Sequence, residues 1–339
     1  MGVEFTQIAG NVSLKRRVSQ DISNNTLSHA YIIEGPCGSG RHTLALNIAA
    51  ALSCDLDNER PCGSCKSCER IFGGKSPDIV VHGFVDDRVT IGVDTIRNIR
   101  EDMVIAPNDL GIKVYIIENA DAMTIQAQNA FLLSLEDPPK YVMFFLICES
   151  SSSLLETVRS RAPVLRLQRL DDAELKKYVL DHSRAARNLY EDDPEAFEIL
   201  TFVADGCIGK ALSLLDSRKL KALLDEREIA EKILSLLSCP NKTEVLSVVT
   251  ALGRKRADVR RYLLSVQTAV RDLLMLKKDD SVRLCFFPDR EEAQELSTHY
   301  TSASLISLYD ALCGACEELD GNSNVRLTLL NMCQKAGII

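Results

Sequence analysis

Three things are scarce in this sequence, and each closes off a class of function. Positive charge is the first: 40 Lys and Arg stand against 48 Asp and Glu, a formal net charge of −8 over 339 residues. A chain coated for phosphate binding has the opposite balance, so contact with DNA or RNA must be local, and the expected partner of the surface as a whole is protein. Long apolar runs are the second, since none approaches the roughly 20 residues that a membrane span needs. The third is an export signal. Met1-Gly2-Val3-Glu4-Phe5-Thr6 contains no apolar signal core, so the expected location is the cytoplasm. A short-period internal repeat is missing as well.

Cysteine, by contrast, is plentiful, with 12 in the chain. Domains of roughly 100 to 200 residues give a chain of this length two or three of them. Each could bury a core of its own, and without export the thiols are expected to stay reduced. Four stand apart: Cys54, then Cys62-Gly63-Ser64-Cys65-Lys66-Ser67-Cys68. This spacing places four thiolates where one tetrahedral ion can gather them, and soft thiolates so placed select zinc or iron–sulfur chemistry. Neither a histidine nor an open position accompanies them. The expectation is a closed structural zinc whose binding energy folds the insertion, with a redox pair or iron–sulfur cluster as the alternative. Cys313 and Cys316, three apart in a helical pattern, are read as packing residues.

The chain is organised around Gly35-Pro36-Cys37-Gly38-Ser39-Gly40-Arg41-His42-Thr43. An apolar run, Ala30 to Ile33, precedes it and a helical pattern, Leu44 to Leu52, follows. This is the setting of a phosphate loop, in which glycines close backbone N–H groups around phosphates at a helix N-terminus, a lysine reaches the outer phosphates and a hydroxyl holds magnesium. Here Arg41 replaces the lysine with a broad planar fork. His42 replaces the hydroxyl, and imidazole is a poor ligand for magnesium. Thr43 is displaced by one residue, about 100° around the helix. The loop is expected to keep its shape and lose its chemistry. His29, just ahead of the first strand, is assigned to structural hydrogen bonding rather than to a ligand.

Further along, Asp78 to Val81 reads as a strand, and Ile91 to Ile99 as a short strand running into a helix capped by Asp94. Lys113 to Glu118 and Val142 to Cys148 are continuous apolar strands of the kind buried on both faces of a parallel sheet. Glu118-Asn119-Ala120-Asp121 falls where an ATPase of this architecture places an aspartate for magnesium and then a glutamate that activates water. Glu118 retains the ability to help hold a metal, Asn119 cannot act as a base, and Asp121 is expected to cap the next helix, Thr124 to Glu136. Val164 to Leu167 is the last strand. The alternation over about 165 residues predicts a doubly wound parallel α/β domain. Helical patterns then take over. A small lid is predicted from Asp171 to His182, Pro194 to Ala204 and Lys210 to Leu215. A bundle suited to oligomerisation follows, with Ala222 to Leu237, Lys242 to Leu252, Val259 to Leu276, Ala303 to Glu318 and Val325 to Gln334. Arg254-Lys255-Arg256 is read as a solvated surface.

Several of these stretches together resemble the clamp-loader branch of the AAA+ family. They are Leu27-Ser28-His29-Ala30-Tyr31, the four-cysteine insertion, Ile91 to Arg97, Asn129 to Pro139, and Ser160-Arg161. The resemblance implies an AAA+ doubly wound domain over 1–168 with a zinc module near 54–76, a helical lid over 169–216 and a helical collar over 217–339. It further implies a five-member ring with delta and tau/gamma subunits, which opens a sliding clamp and places it on primed DNA. Ser160-Arg161 is similar to the family's Ser-Arg-Cys motif, with Ala162 in the cysteine's place; the resemblance makes Arg161 a finger projected into a neighbour's nucleotide site, supported by Ser160. Gly209 occupies the point where active relatives carry a sensor arginine. The implied subunit assists catalysis next door without performing it. Two rivals remain: a slow ATPase using Arg41, Thr43 and Glu118, and a zinc-ribbon nucleic-acid binder.

Overall fold

The computed structural model describes residues 2–56, 59–83, 90–237, 247–249, 251–253, 255–321 and 323–337. They form two units: Met1–His182 with Asp205–Lys210, and Ser183–Ala204 with Ala211–Ile339.

The first unit is built on strands β1 (Gly2–Val3), β2 (Ala30–Glu34), β3 (Glu59–Arg60), β4 (Ile79–His82), β5 (Lys113–Ile117), β6 (Val142–Cys148) and β7 (Val164–Arg166). Five of them make an all-parallel sheet in the order β4-β5-β6-β2-β7, and β1 pairs with β3 apart from it. Every residue of β5 and β6 is buried, as strands covered by helices on both faces must be. The two-residue period of a strand divides their side chains between two cores. Tyr115, Ile117, Phe144 and Leu146 face helices Val93–Asp102 and Ile125–Glu136, whereas Val114, Ile116, Phe145 and Ile147 pack with Leu44, Ile48 and Val18 from the opposite layer. The architecture is a doubly wound parallel α/β sheet, with the C-terminal ends of β2 and β5 opening at one edge, where ligands of such sheets bind.

Local details depart from the sequence reading at three points. Ile91 forms only a single parallel bridge to Met123 rather than a strand. Asp94 is not a cap: the helix begins after Gly92, and Asp94, already in its first turn, pairs with Arg97 at 3.0 Å. Asp121 does not cap either, because a short 3-10 turn, Ala120–Ala122, intervenes. Thr124 performs that role, accepting from the Ala127 N–H at 3.2 Å, while Asp121 accepts from the Glu149 N–H at 3.4 Å.

The second unit is helical. Helices Ser217–Leu237, Arg256–Leu276, Ser302–Asp320 and Val325–Lys335 enclose a core that includes Leu234, Leu263, Leu273, Leu305, Leu312 and Leu329. Helices Arg184–Asp192 and Arg290–Thr298 were not evident in the sequence; both are short, and side chains cap them at Ser183 and Asp289. Buried Asp272 accepts from the N–H groups of Cys285 and Phe286, each at 2.7 Å. Most of the Lys242 to Leu252 pattern, and Arg254 of the basic triplet, lie outside the described residues. Cys316 is buried and Cys313 accepts from Gln267 Nε2 at 3.0 Å, so this pair is engaged in packing.

Candidate functional site

At the end of β2 the chain turns through Gly38 (φ 80°) and Gly40 (φ 93°) into helix Arg41–Ser53. Both angles lie in the left-handed region that glycine enters freely, so the loop shape rests on its glycines. What would be its mouth is occupied by the molecule itself. Gly38 O accepts from the Gly209 N–H at 2.8 Å, and a Cβ on Gly38 would come within 2.7 Å of Lys210 N. A Cβ on Gly209 would stand 3.0 Å from Gly38 Cα. Two backbones touch here: a side chain at Gly38 would force a shift, and one at Gly209 would press on the Gly38 backbone.

His42 and Glu118 meet across the end of the sheet. His42 Nδ1 lies 2.8 Å from Glu118 Oε1, and both side chains are 40% exposed. The approach is off the N–H direction, which makes this an electrostatic contact rather than an aligned hydrogen bond. The glycine-loop helix and the end of β5 thus meet through these two side chains. Asn119 follows in the left-handed region (φ 52°), a conformation asparagine tolerates better than glutamate. Arg41 is half-buried at the head of the helix, and its charge reaches the thiols of Cys148 and Cys207; burial dominates there and pushes both up, Cys148 to about 12. Thr43 is known through its carbonyl, which accepts from Asn47 Nδ2 at 2.8 Å. His29 Nε2 lies 2.8 Å from Leu135 O, a structural bond.

Ser160 and Arg161 follow the short helix Glu156–Arg159. Ser160 Oγ donates to Thr157 O at 3.0 Å, and the Arg161 guanidinium reaches Glu136 Oε1 at 2.8 Å with its side chain 36% exposed. It stands at the surface of its unit, not in the interior. Ala162, in the place of the family's cysteine, is fully buried.

The four cysteines converge. Their sulfurs all lie within 4.8 Å of one another, with Cys62–Cys68 and Cys54–Cys65 at 4.0 Å. A tetrahedral ion with zinc–sulfur bonds of about 2.3 Å needs sulfurs about 3.8 Å apart, so the cluster is spaced for a metal ion. The N–H groups of Ser64 and Cys65 pull the Cys62 thiol down to about 6, while burial pushes Cys54 and Cys68 up. Among the described residues this is the one group of such side chains set to hold a metal. Its floor is Ala50, Ile71 and Leu110, and Arg70 ties it to Asp109 at 2.6 Å.

Residues 10–171 match the family described as DNA polymerase III, delta subunit. The delta-prime subunit of DNA polymerase III from Bacillus subtilis is 35% identical over 184 residues, covering 52% of this chain and 55% of that one. Over residues 10–171, then, the chain is similar to the DNA polymerase III delta-subunit family. The tau subunit from the same organism is 25% identical over 97% of this chain, which spans 61% of tau's length. A DNA polymerase III gamma subunit-related protein from Thermotoga maritima superposes with a TM-score of 0.47 at 18% identity, over 94% of this chain and 98% of that one.

The structure also brings forward residues that sequence patterns did not mark. Asp78 is fully buried and accepts from the N–H groups of Asn108, Asp109 and Leu110 at 2.7 to 2.8 Å. Burial alone would raise its carboxyl, yet those three donors hold it below its ordinary value. Glu34, at the threshold of the glycine loop, accepts from Ser151 Oγ at 2.6 Å and from Arg166 Nε at 3.3 Å; these outweigh burial and keep its carboxyl low. Neither residue has a signature, because each partner comes from a distant part of the chain.

Proposed function

We propose that this chain is a delta-prime-like, non-hydrolysing clamp-loader subunit that supplies Arg161 in trans to an adjacent ATPase subunit. The observation that carries the reading is the His42–Glu118 contact at 2.8 Å. Where a hydrolysing relative needs a hydroxyl and a carboxylate around magnesium, this chain presents an imidazole against its only retained acid, with Asn119 in the place of the water-activating base. The direct seating of Gly209 on Gly38 supports it, since a sensor arginine there would press within 3.0 Å of the Gly38 backbone. Surface placement of Arg161 supports the outward role. Fingers of this kind contribute about 10³ to 10⁵ to the rate of the site they enter.

In this reading the partners are tau/gamma and delta subunits, the sliding clamp and primer-template DNA are reached through the assembly, and the setting is the cytoplasm. Residues 169–216 serve as lid and 217–339 as collar. The Cys54, Cys62, Cys65 and Cys68 thiolates hold a structural zinc, which supplies folding energy to the insertion and no catalysis.

The test has two parts. Purified alone, the chain shows no magnesium-dependent ATP turnover above background. Appreciable turnover abolished by Arg41→Ala would establish the slow-ATPase alternative instead. In a loader reconstituted with tau/gamma and delta, Arg161→Ala lowers turnover at the site it faces by about 10³-fold, with assembly unchanged by size exclusion. Undiminished turnover removes the finger role.

A further inference from the structure

Arg161 is held from two sides. Nη1 donates to Thr157 O at 3.0 Å and to Ser160 Oγ at 3.4 Å, both from its own turn, and Nη2 donates to Glu136 Oε1 at 2.8 Å. Three of the five guanidinium N–H groups are engaged in this way, and the remaining ones are left to a partner. Glu136 is well suited to act as the outer jaw. It is the last residue of helix Ile125–Glu136, directly ahead of Asp137-Pro138-Pro139. That helix is anchored by Phe131 and Leu135, which are 0% and 1% exposed, while the Glu136 side chain is 52% exposed. A rigid core element therefore carries a carboxylate to the surface next to the guanidinium.

We propose that Glu136 is the positioning residue for Arg161, fixing the guanidinium in the orientation it offers to the neighbouring subunit. The inference rests on the in-trans reading of Arg161. An unrestrained arginine samples many rotamers and must be ordered as the neighbour's phosphates arrive; one already clamped needs less ordering. Exposed ion pairs are weak in net terms, so the Glu136 bond can be exchanged for a phosphate oxygen without holding the finger back.

The experiment uses the loader reconstituted with tau/gamma and delta, and compares Glu136→Ala, Glu136→Gln, Arg161→Ala and the Glu136→Ala/Arg161→Ala double variant. Glu136→Ala lowers kcat for ATP by about two- to fivefold with KM unchanged, the scale of one exposed pair. Glu136→Gln, which keeps an acceptor oxygen, recovers most of the loss, and the double variant is no slower than Arg161→Ala. Thermal unfolding of Glu136→Ala matches the parent, as expected for a side chain at an exposed helix end. An unchanged or raised kcat in Glu136→Ala, beside a loss in Arg161→Ala, overturns the positioning role and leaves the finger standing. A double variant slower than Arg161→Ala also overturns it, by showing that Glu136 acts through another route. If Arg161→Ala itself has no effect, the finger reading fails and this inference with it.

Discussion

The phosphate loop and the cysteine knuckle sit at opposite ends of one helix, Arg41–Ser53, with Gly40 at its N-terminus and Cys54 at its C-terminus. The contrast between them is instructive. At one end Arg41 and His42 follow a loop whose shape its glycines set; at the other all four cysteine donors lie within 4.8 Å of one another. The difference follows from what holds each in shape. Glycines with left-handed backbone and a sheet–helix junction set the loop, and neither needs a nucleotide. A small knuckle has little core of its own, so its ligands and its fold are one and the same, and losing any of them loses both.

The sharpest way to break this contrast is at the knuckle. Cys68→Ala, at a buried position, is expected to reduce bound zinc from about one equivalent to about a tenth, since structural sites of this type derive on the order of 10 kcal/mol from the metal. Elemental analysis reads the metal, and hydrogen exchange over residues 59–76 reads the fold. Retention of zinc would mean that the four thiolates are not one site.

A second, smaller effect is expected beneath the knuckle. Asp78→Ala strands three N–H groups that hold the loop carrying Leu110, part of the knuckle's floor, and should destabilise the first unit by about 3 kcal/mol in thermal or denaturant unfolding. Its pH dependence has a definite sign. The native carboxyl is held below the ordinary 3.8, so its contribution is intact above that value and is lost as pH falls through the depressed native value. The gap between parent and variant therefore narrows only in acid; a gap constant down to pH 2 would contradict the assignment.

The loop end should respond least. His42 and Glu118 are each 40% exposed, so His42→Ala is expected to change stability by less than about 1 kcal/mol. Restoring lysine and hydroxyl together, through Arg41→Lys and His42→Thr, is still expected to give no magnesium-dependent turnover, because Asn119 and Gly209 remain. Turnover in that double variant would show that the loop alone had been limiting.

Much of the first unit was legible along the chain because its signals are local. Continuous apolar runs at β5 and β6 announce strands buried on both faces, and cysteines two residues apart announce a cluster able to gather a metal ion. Asp94 and Asp121 were misassigned as caps for the complementary reason. Capping depends on which residue takes the last non-helical backbone conformation, and Gly92 and Thr124 took it. The roles of Asp78 and Glu136 were not legible, although both fall in stretches the sequence marked, since an acid is meaningful only beside its partners, and theirs lie 30 and 25 residues away.

By itself, then, the order of residues determined the kind of fold, a four-cysteine knuckle spaced for a metal ion and an asparagine at position 119, because each depends on residue type and short-range spacing. Only the tertiary structure decided that Gly209 seats on Gly38, that His42 turns to Glu118 and that Glu136 grips Arg161. Those are meetings between segments brought together by the parallel sheet and its helices, and no periodicity along the chain encodes where two distant turns will touch.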